Sequence, residues 1–225
     1  MCRVIVSIVL ICLLATQAPA GPWPRDKGQT FVSAWGGQER VAGRTGLFSG
    51  TYSEYGLTRR LTLSSSAETR GAAAEVFRWE VGGRWYLGDM VPGSPVSFGV
   101  GLQRGTVLAG PKPATRLRLT LHLGHGLTAP WQGGWLRTSL SALPAVGNGS
   151  GTDFETYSQV GVRPTARSLM MLSASTYHND TATFVKLSPA LGYEVGWLGT
   201  ILVEGTQEIG HDRDRRLTLG LWRAF

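Results

Sequence analysis

The chain has 225 residues, 42% of them hydrophobic and 31 of them glycine, with a formal net charge of +7. The length suits one domain, and so much glycine excludes a helical protein while fitting strands, tight turns and a crowded interior. The basic residues are scattered without a dense patch, which argues against a nucleic-acid partner.

The chain opens with Arg3, an apolar run from Val4 to Ala15, and Ala18-Pro19-Ala20 ahead of Gly21. A basic start, a short apolar stretch and a small-x-small site read as a secretory signal peptide over 1–20, cut between Ala20 and Gly21. The run falls short of the ~20 residues of a membrane anchor. Cys12 follows Leu10-Ile11, which is unlike a lipoprotein cleavage site. Both cysteines, Cys2 and Cys12, fall in this leader, so the exported part must hold together without disulfides. Beyond it no stretch reaches ~18 uninterrupted apolar residues, so no spanning helix is expected. Residues 21–28 read as a short periplasmic N-terminal segment ahead of a β-domain over 29–225.

From there side chains alternate with a period of two, the mark of strands with two unlike faces. Twelve strands are predicted: 29–37, 44–55, 61–70, 73–86, 94–104, 114–125, 131–142, 152–162, 167–178, 181–193, 197–208 and 213–225. Pro-Gly-Ser-Pro, Gly-Pro-Lys-Pro, Gly-Asn-Gly-Ser-Gly and Asn-Asp separate them, all turn chemistry. In the last strand Leu217, Leu219, Leu221 and Phe225 share one parity, and Arg216, Thr218, Gly220 and Ala224 the other.

That strand, ending on an aromatic residue, resembles the C-terminal strand of bacterial outer-membrane β-barrel proteins. Gly56-Leu57-Thr58-Arg59-Arg60 before Leu61-Thr62-Leu63 resembles a periplasmic turn common in such barrels. The resemblance implies an all-β fold, a transmembrane antiparallel up-and-down barrel in the outer membrane. It also implies outer-membrane lipids as surroundings and a barrel-assembly machinery that reads Phe225. An even strand count puts both termini in the periplasm, so the connections near 105–113 and 143–151, the longest, fall on the outer side. Tyr55, Trp85, Tyr86, Trp131, Trp135, Tyr193, Trp197, Trp222 and Phe225 are expected in a periplasmic aromatic band. Trp35, Phe48, Phe77, Phe154, Tyr177 and Phe184 are expected near the outer rim.

Parity divides lipid from lumen. Leu117, Leu119, Leu121 and Leu123 should face out, with Arg116, Arg118, Thr120 and His122 inward. Phe77, Trp79 and Val81 should oppose Arg78, Glu80 and Arg84. Val96, Phe98, Val100 and Leu102 should oppose Ser97, Gly99, Gly101 and Gln103. Val185, Leu187, Leu191 and Tyr193 should oppose Lys186 and Glu194. A charge at mid-depth on the lipid face would cost ~2–4 kcal/mol, which fixes the register. The second, third, eighth and ninth strands show Ser and Thr outward, which fits a lightly apolar wall or a homo-oligomer contact. Inward charges have both signs: Glu54, Glu68, Glu80, Glu194 and Glu204 against Arg78, Arg84, Arg116, Arg118, Arg137, Lys186 and Arg216. Either they pair across the lumen, or Arg116, Arg118 and Arg137, with Arg78 and Glu80 beside them, form a constriction favouring anions.

Nothing else in the chain announces chemistry. His178 with Ser173 and Ser175, and the loop His211-Asp212-Arg213-Asp214, match no catalytic or metal motif, and no cofactor is implied. The leading reading is a narrow passive channel for small solutes or a structural envelope protein. An outer-membrane lipid hydrolase and a soluble polysaccharide-binding β-protein are the alternatives.

Overall fold

The structure, a computed structural model, describes residues 21–41, 43–71, 75–105, 114–128, 133–147, 151–210 and 214–225. The expected leader, 1–20, lies outside them, and with it the Ala20 side of the cleavage site. Twelve strands follow one another: β1 (Thr30–Val41), β2 (Arg44–Gly56), β3 (Leu61–Arg70), β4 (Glu75–Asp89), β5 (Pro95–Gly105) and β6 (Ala114–Leu127). Then come β7 (Gly134–Pro144), β8 (Thr152–Val162), β9 (Ser168–His178), β10 (Thr183–Val195), β11 (Gly199–Ile209) and β12 (Arg215–Ala224). Each pairs antiparallel with its chain neighbours, and β1 pairs with β12 to close the barrel. Closure leaves no strand edge unpaired, the condition for crossing a bilayer with strands.

β1 runs four residues beyond the predicted end at 37. Gly36 and Gly37 sit inside the ladder opposite Leu219 and Thr218, and pairing continues past them to Arg40. A Cβ on Gly37 would run into the Leu217 carbonyl, so this glycine permits close approach at the seam instead of ending the strand. β4 carries register shifts against both neighbours, at Glu68/Thr69 and Tyr86/Gly88.

The faces follow the predicted parity. Phe98, Val100 and Leu102 on β5, Leu187, Leu191 and Tyr193 on β10, and Leu217 and Leu219 on β12 are exposed on the outer wall. Ser97 and Gln103 are buried inside it. A barrel greasy outside and polar within is stable only with hydrocarbon around it. The thinner walls resolve their polarity internally: Ser49 pairs with Thr69 at 2.8 Å, Ser53 with Ser65 at 2.8 Å, Thr138 with Ser158 at 3.0 Å and Thr156 with Thr176 at 2.7 Å. Hydroxyls bonded across strands spare the lipid an unsatisfied polar group.

The aromatic bands need correction. Tyr55, Trp85, Tyr193, Trp197 and Phe225 are exposed at the rim carrying both termini, as a girdle requires. Trp135 and Trp222 point inward instead: Trp135 is buried with Leu169, Met171, Ala190 and Leu202, and Trp222 packs on that cluster. Trp35, Tyr177 and Phe184 line the lumen, and Phe48 is buried beneath Arg216. Phe154 alone of the expected outer band is exposed on the wall, while Trp131 and the Phe77 side chain lie outside the described residues. Parity accounts for this. Arg216 and Trp222 share a face, and so do Glu54 and Phe48, whose outward neighbour is the exposed Leu47.

Candidate functional site

Residues 21–29, which include the segment 21–28 ahead of the predicted strands, fold up inside the barrel at the end carrying both termini. The path is set at Gly28, whose positive φ turns the chain, and by the bonds Gly28 N to Gly56 O (2.8 Å) and Gly56 N to Gln29 O (2.9 Å). Arg25 is then completely enclosed. Its Nε donates to Glu54 at 2.6 Å, and its backbone N–H donates to Thr62 Oγ1 at 3.1 Å. Glu54 also accepts from Arg84 (3.0 Å) and the Tyr52 hydroxyl (2.6 Å). Arg84 reaches on to the Trp23 carbonyl at 3.2 Å, and Ser97 Oγ donates to the Pro22 carbonyl at 2.5 Å. The Trp23 ring packs against the luminal apolar cluster of Trp135, Leu169, Met171, Ala190 and Leu202. The wall is shaped for this segment. A Cβ on Gly124 would collide with Pro22, and one on Gly56 with the Asp26 carbonyl.

Above the plug is a cavity of about 730 Å³, floored by Gly21 and Pro22 and reaching toward Val41, Gly105 and Asp214 at the outer rim. Ion pairs cross its wall at several heights. Arg118 meets Glu155 at 2.7 Å and Glu80 at 3.1 Å, and donates to Gln103 at 2.7 Å, tying β4, β5, β6 and β8 together. Arg116 pairs with Asp153 at 3.0 Å and donates to the Leu143 carbonyl at 2.9 Å, while the Tyr177 hydroxyl donates to Asp153. Arg216 holds Glu39 at 2.9 Å and Glu68 at 3.1 Å, and Arg70 holds Glu39 at 3.0 Å, so charge clamps the seam between β12, β1 and β3. Arg137 lies over the Tyr157 ring at 4.9 Å and donates to its hydroxyl at 3.1 Å. Arg78 lines the cavity and makes no ion pair among the described residues. Enclosed charges are costly unless partnered, and here most are partnered.

No protein-family model matches the sequence, and no curated protein is similar to it. Solved structures are. The KdgM porin superimposes with a TM-score of 0.63 at 13% identity, over 87% of this chain and 99% of that one. An outer-membrane channel from Pseudomonas putida F1 gives 0.56 at 10% identity, over 92% and 99%. The fold is that of the outer-membrane β-barrels. Outer membrane phospholipase A from Escherichia coli shares it too, at a TM-score of 0.53 and 12% identity, over 94% and 96%.

Within this outer-membrane barrel fold, Arg78, Glu80, Arg116, Arg118 and Arg137 all reach the same cavity wall. Glu39, Arg70, Asp153, Glu155 and Glu208 are luminal charges that sequence reasoning passed over, although parity with Glu54, Arg116 and Glu204 would have placed them. Arg25 had no such signal, because no strand pattern governs residues ahead of β1. His178 is exposed and bonds Thr183 at 2.8 Å, whereas Ser173 faces the lumen against Tyr157 and Gln159. A Ser-His pair is therefore split between the two faces of β9. His211, Asp212 and Arg213 lie outside the described residues, among which no cluster of three metal-binding side chains occurs.

Proposed function

We propose that the protein is a narrow passive channel of the outer membrane, closed at rest in its periplasmic half by residues 21–29. One observation carries this reading: a charge-lined cavity of about 730 Å³ ends on Gly21 and Pro22, held by a fitted, buried network. A structural barrel has no need of such a cavity, and a soluble sugar-binding protein has no need of an aliphatic outer wall. The likeness to the KdgM porin supports the channel reading, and its complex with disordered oligogalacturonate makes an acidic oligosaccharide the first solute to try. Arg78, Arg116, Arg118 and Arg137 line that cavity and would meet such a solute. The lipid-hydrolase reading finds less support, since Ser173 and His178 stand on opposite faces.

The test is planar-bilayer conductance of the refolded protein beside the double variant Trp23→Ala/Arg25→Ala. The wild type should conduct little, and the variant should conduct more, with a reversal potential favouring anions that weakens as salt shortens the Debye length from ~10 Å at 0.1 M. No conductance in either protein would overturn the channel and leave a structural barrel.

A further inference from the structure

At the outer end of the β1–β12 seam, where Arg215 borders the mouth of the cavity, stands a pair that the luminal ion pairs leave out. Arg40 and Arg215 are direct cross-strand partners. Both lie on the outward parity of their strands, in line with exposed Gln38 and Leu217, and both are exposed. Neither guanidinium has a hydrogen bond or an ion pair among the described residues. Like charges directly opposite on one sheet face destabilise it, so a bare arginine pair here wants an anion between its two guanidinium forks.

The depth of the pair identifies the anion. Ten residues separate Arg215 from the girdle residue Phe225, and ~9–11 tilted residues cross a bilayer. The pair thus stands at headgroup level when Phe225 stands at the periplasmic interface. Its own row continues with Gln207 on β11 and Thr45 on β2. Below it the wall turns aliphatic, with Leu47, Leu217 and Leu219 exposed. Gly205 and Gly36 interrupt that wall beside Leu217 and Leu219, and a Cβ on Gly205 would meet nothing within 4 Å. Charge above and a shallow apolar groove beneath fit one molecule: an acyl lipid with a phosphomonoester headgroup.

We propose that Arg40 and Arg215 bind the phosphate of an outer-leaflet phosphorylated lipid, with Gln38 and Thr45 beside it and the acyl chains over Gly205 and Gly36. This rests on the outer-membrane reading above. The geometry suits arginine specifically, because a planar fork engages phosphate with two parallel bonds.

Native mass spectrometry of the full refolded barrel in non-ionic detergent tests it, with diphosphoryl lipid A as the probe. The wild type should retain one lipid, excess inorganic phosphate should not displace it, and the dephosphorylated lipid should leave no adduct. Arg40→Gln/Arg215→Gln should reduce occupancy about tenfold, ~1.4 kcal/mol, while Arg104→Gln, at the outer end of β5, should not. Equal adducts in wild type and double variant, or equal adducts with the dephosphorylated lipid, would overturn the site. Displacement by inorganic phosphate would overturn the lipid as its occupant. The faster migration of an unboiled barrel on a denaturing gel separates the two readings: a variant that keeps it while binding is unchanged sinks the lipid site alone, whereas a wild type that lacks it sinks the membrane barrel.

Discussion

Glu54 is the residue on which the plug turns. It accepts from Arg25, Arg84 and Tyr52 in a space closed to water. Glu54→Gln keeps the shape and removes the buried negative charge that Arg25 and Arg84 share. Breaking a buried pair this way costs about 3–5 kcal/mol. The expected outcome is a barrel that loses its unboiled gel shift at a clearly lower temperature than the wild type; an unchanged midpoint would mean that water reaches this site. Phe225 acts differently. Its backbone closes the seam through Phe225 N to Thr30 O at 2.8 Å and Thr30 N to Phe225 O at 3.2 Å, and these bonds survive Phe225→Ser. The side chain is 63% exposed, so folded stability should fall by less than the ~2–3 kcal/mol of a fully buried Phe. The amount assembled in the outer membrane should drop several-fold nonetheless, as measured by fractionation. Normal levels would show that this aromatic is not read during assembly.

At the scale of elements, the strands were legible and the segment before them was not. A period of two survives in any barrel strand because one face meets lipid and the other does not. It therefore placed all twelve strands and the inward face of Glu80, Arg116 and Arg118 among others, though not of Glu39, Arg70, Asp153, Glu155 and Glu208. It cut the first strand short at Gly37, where glycine permits a close approach at the seam. Aromatic placement misled for a related reason. Height along a strand puts Trp135 and Trp222 near the rim carrying the termini, but parity turns them inward, to the luminal cluster on which Trp23 also packs. Residues 21–29 have neither period nor motif, and their position is dictated by partners far along the chain: Glu54, Thr62, Arg84, Ser97 and the bare surface of Gly124. That contact gives a direct experiment. Gly124→Val puts methyl groups where Pro22 and Trp23 lie, while the β5–β6–β7 ladders remain. Trypsin added to the refolded barrel should spare Arg25 in the wild type, where it is enclosed, and cut there about tenfold faster in the variant, ~1.4 kcal/mol in the opening equilibrium. Equal protection would mean that the segment does not depend on this glycine.

For the whole molecule, the outer wall and the closed ladder suit a membrane, and the contents of the lumen bear on whether anything passes. Sequence reasoning left open whether the inward charges pair or line an open path. The structure shows pairing along the wall, with a cavity remaining above residues 21–29. Wall charges paired side by side need not obstruct a solute; a segment lying across the bore does. The proposed closure is this segment, and one molecule can be measured in both states. The native cysteines stand at positions 2 and 12, inside the expected leader, so Pro22→Cys/Gly124→Cys introduces a single pair at a contact close enough for a disulfide. Its planar-bilayer conductance is recorded oxidised and then after a reductant is added to the same membrane. The barrel should be silent when tethered and show discrete openings once the tether is cut; identical conductance before and after reduction would mean that residues 21–29 are not the closure.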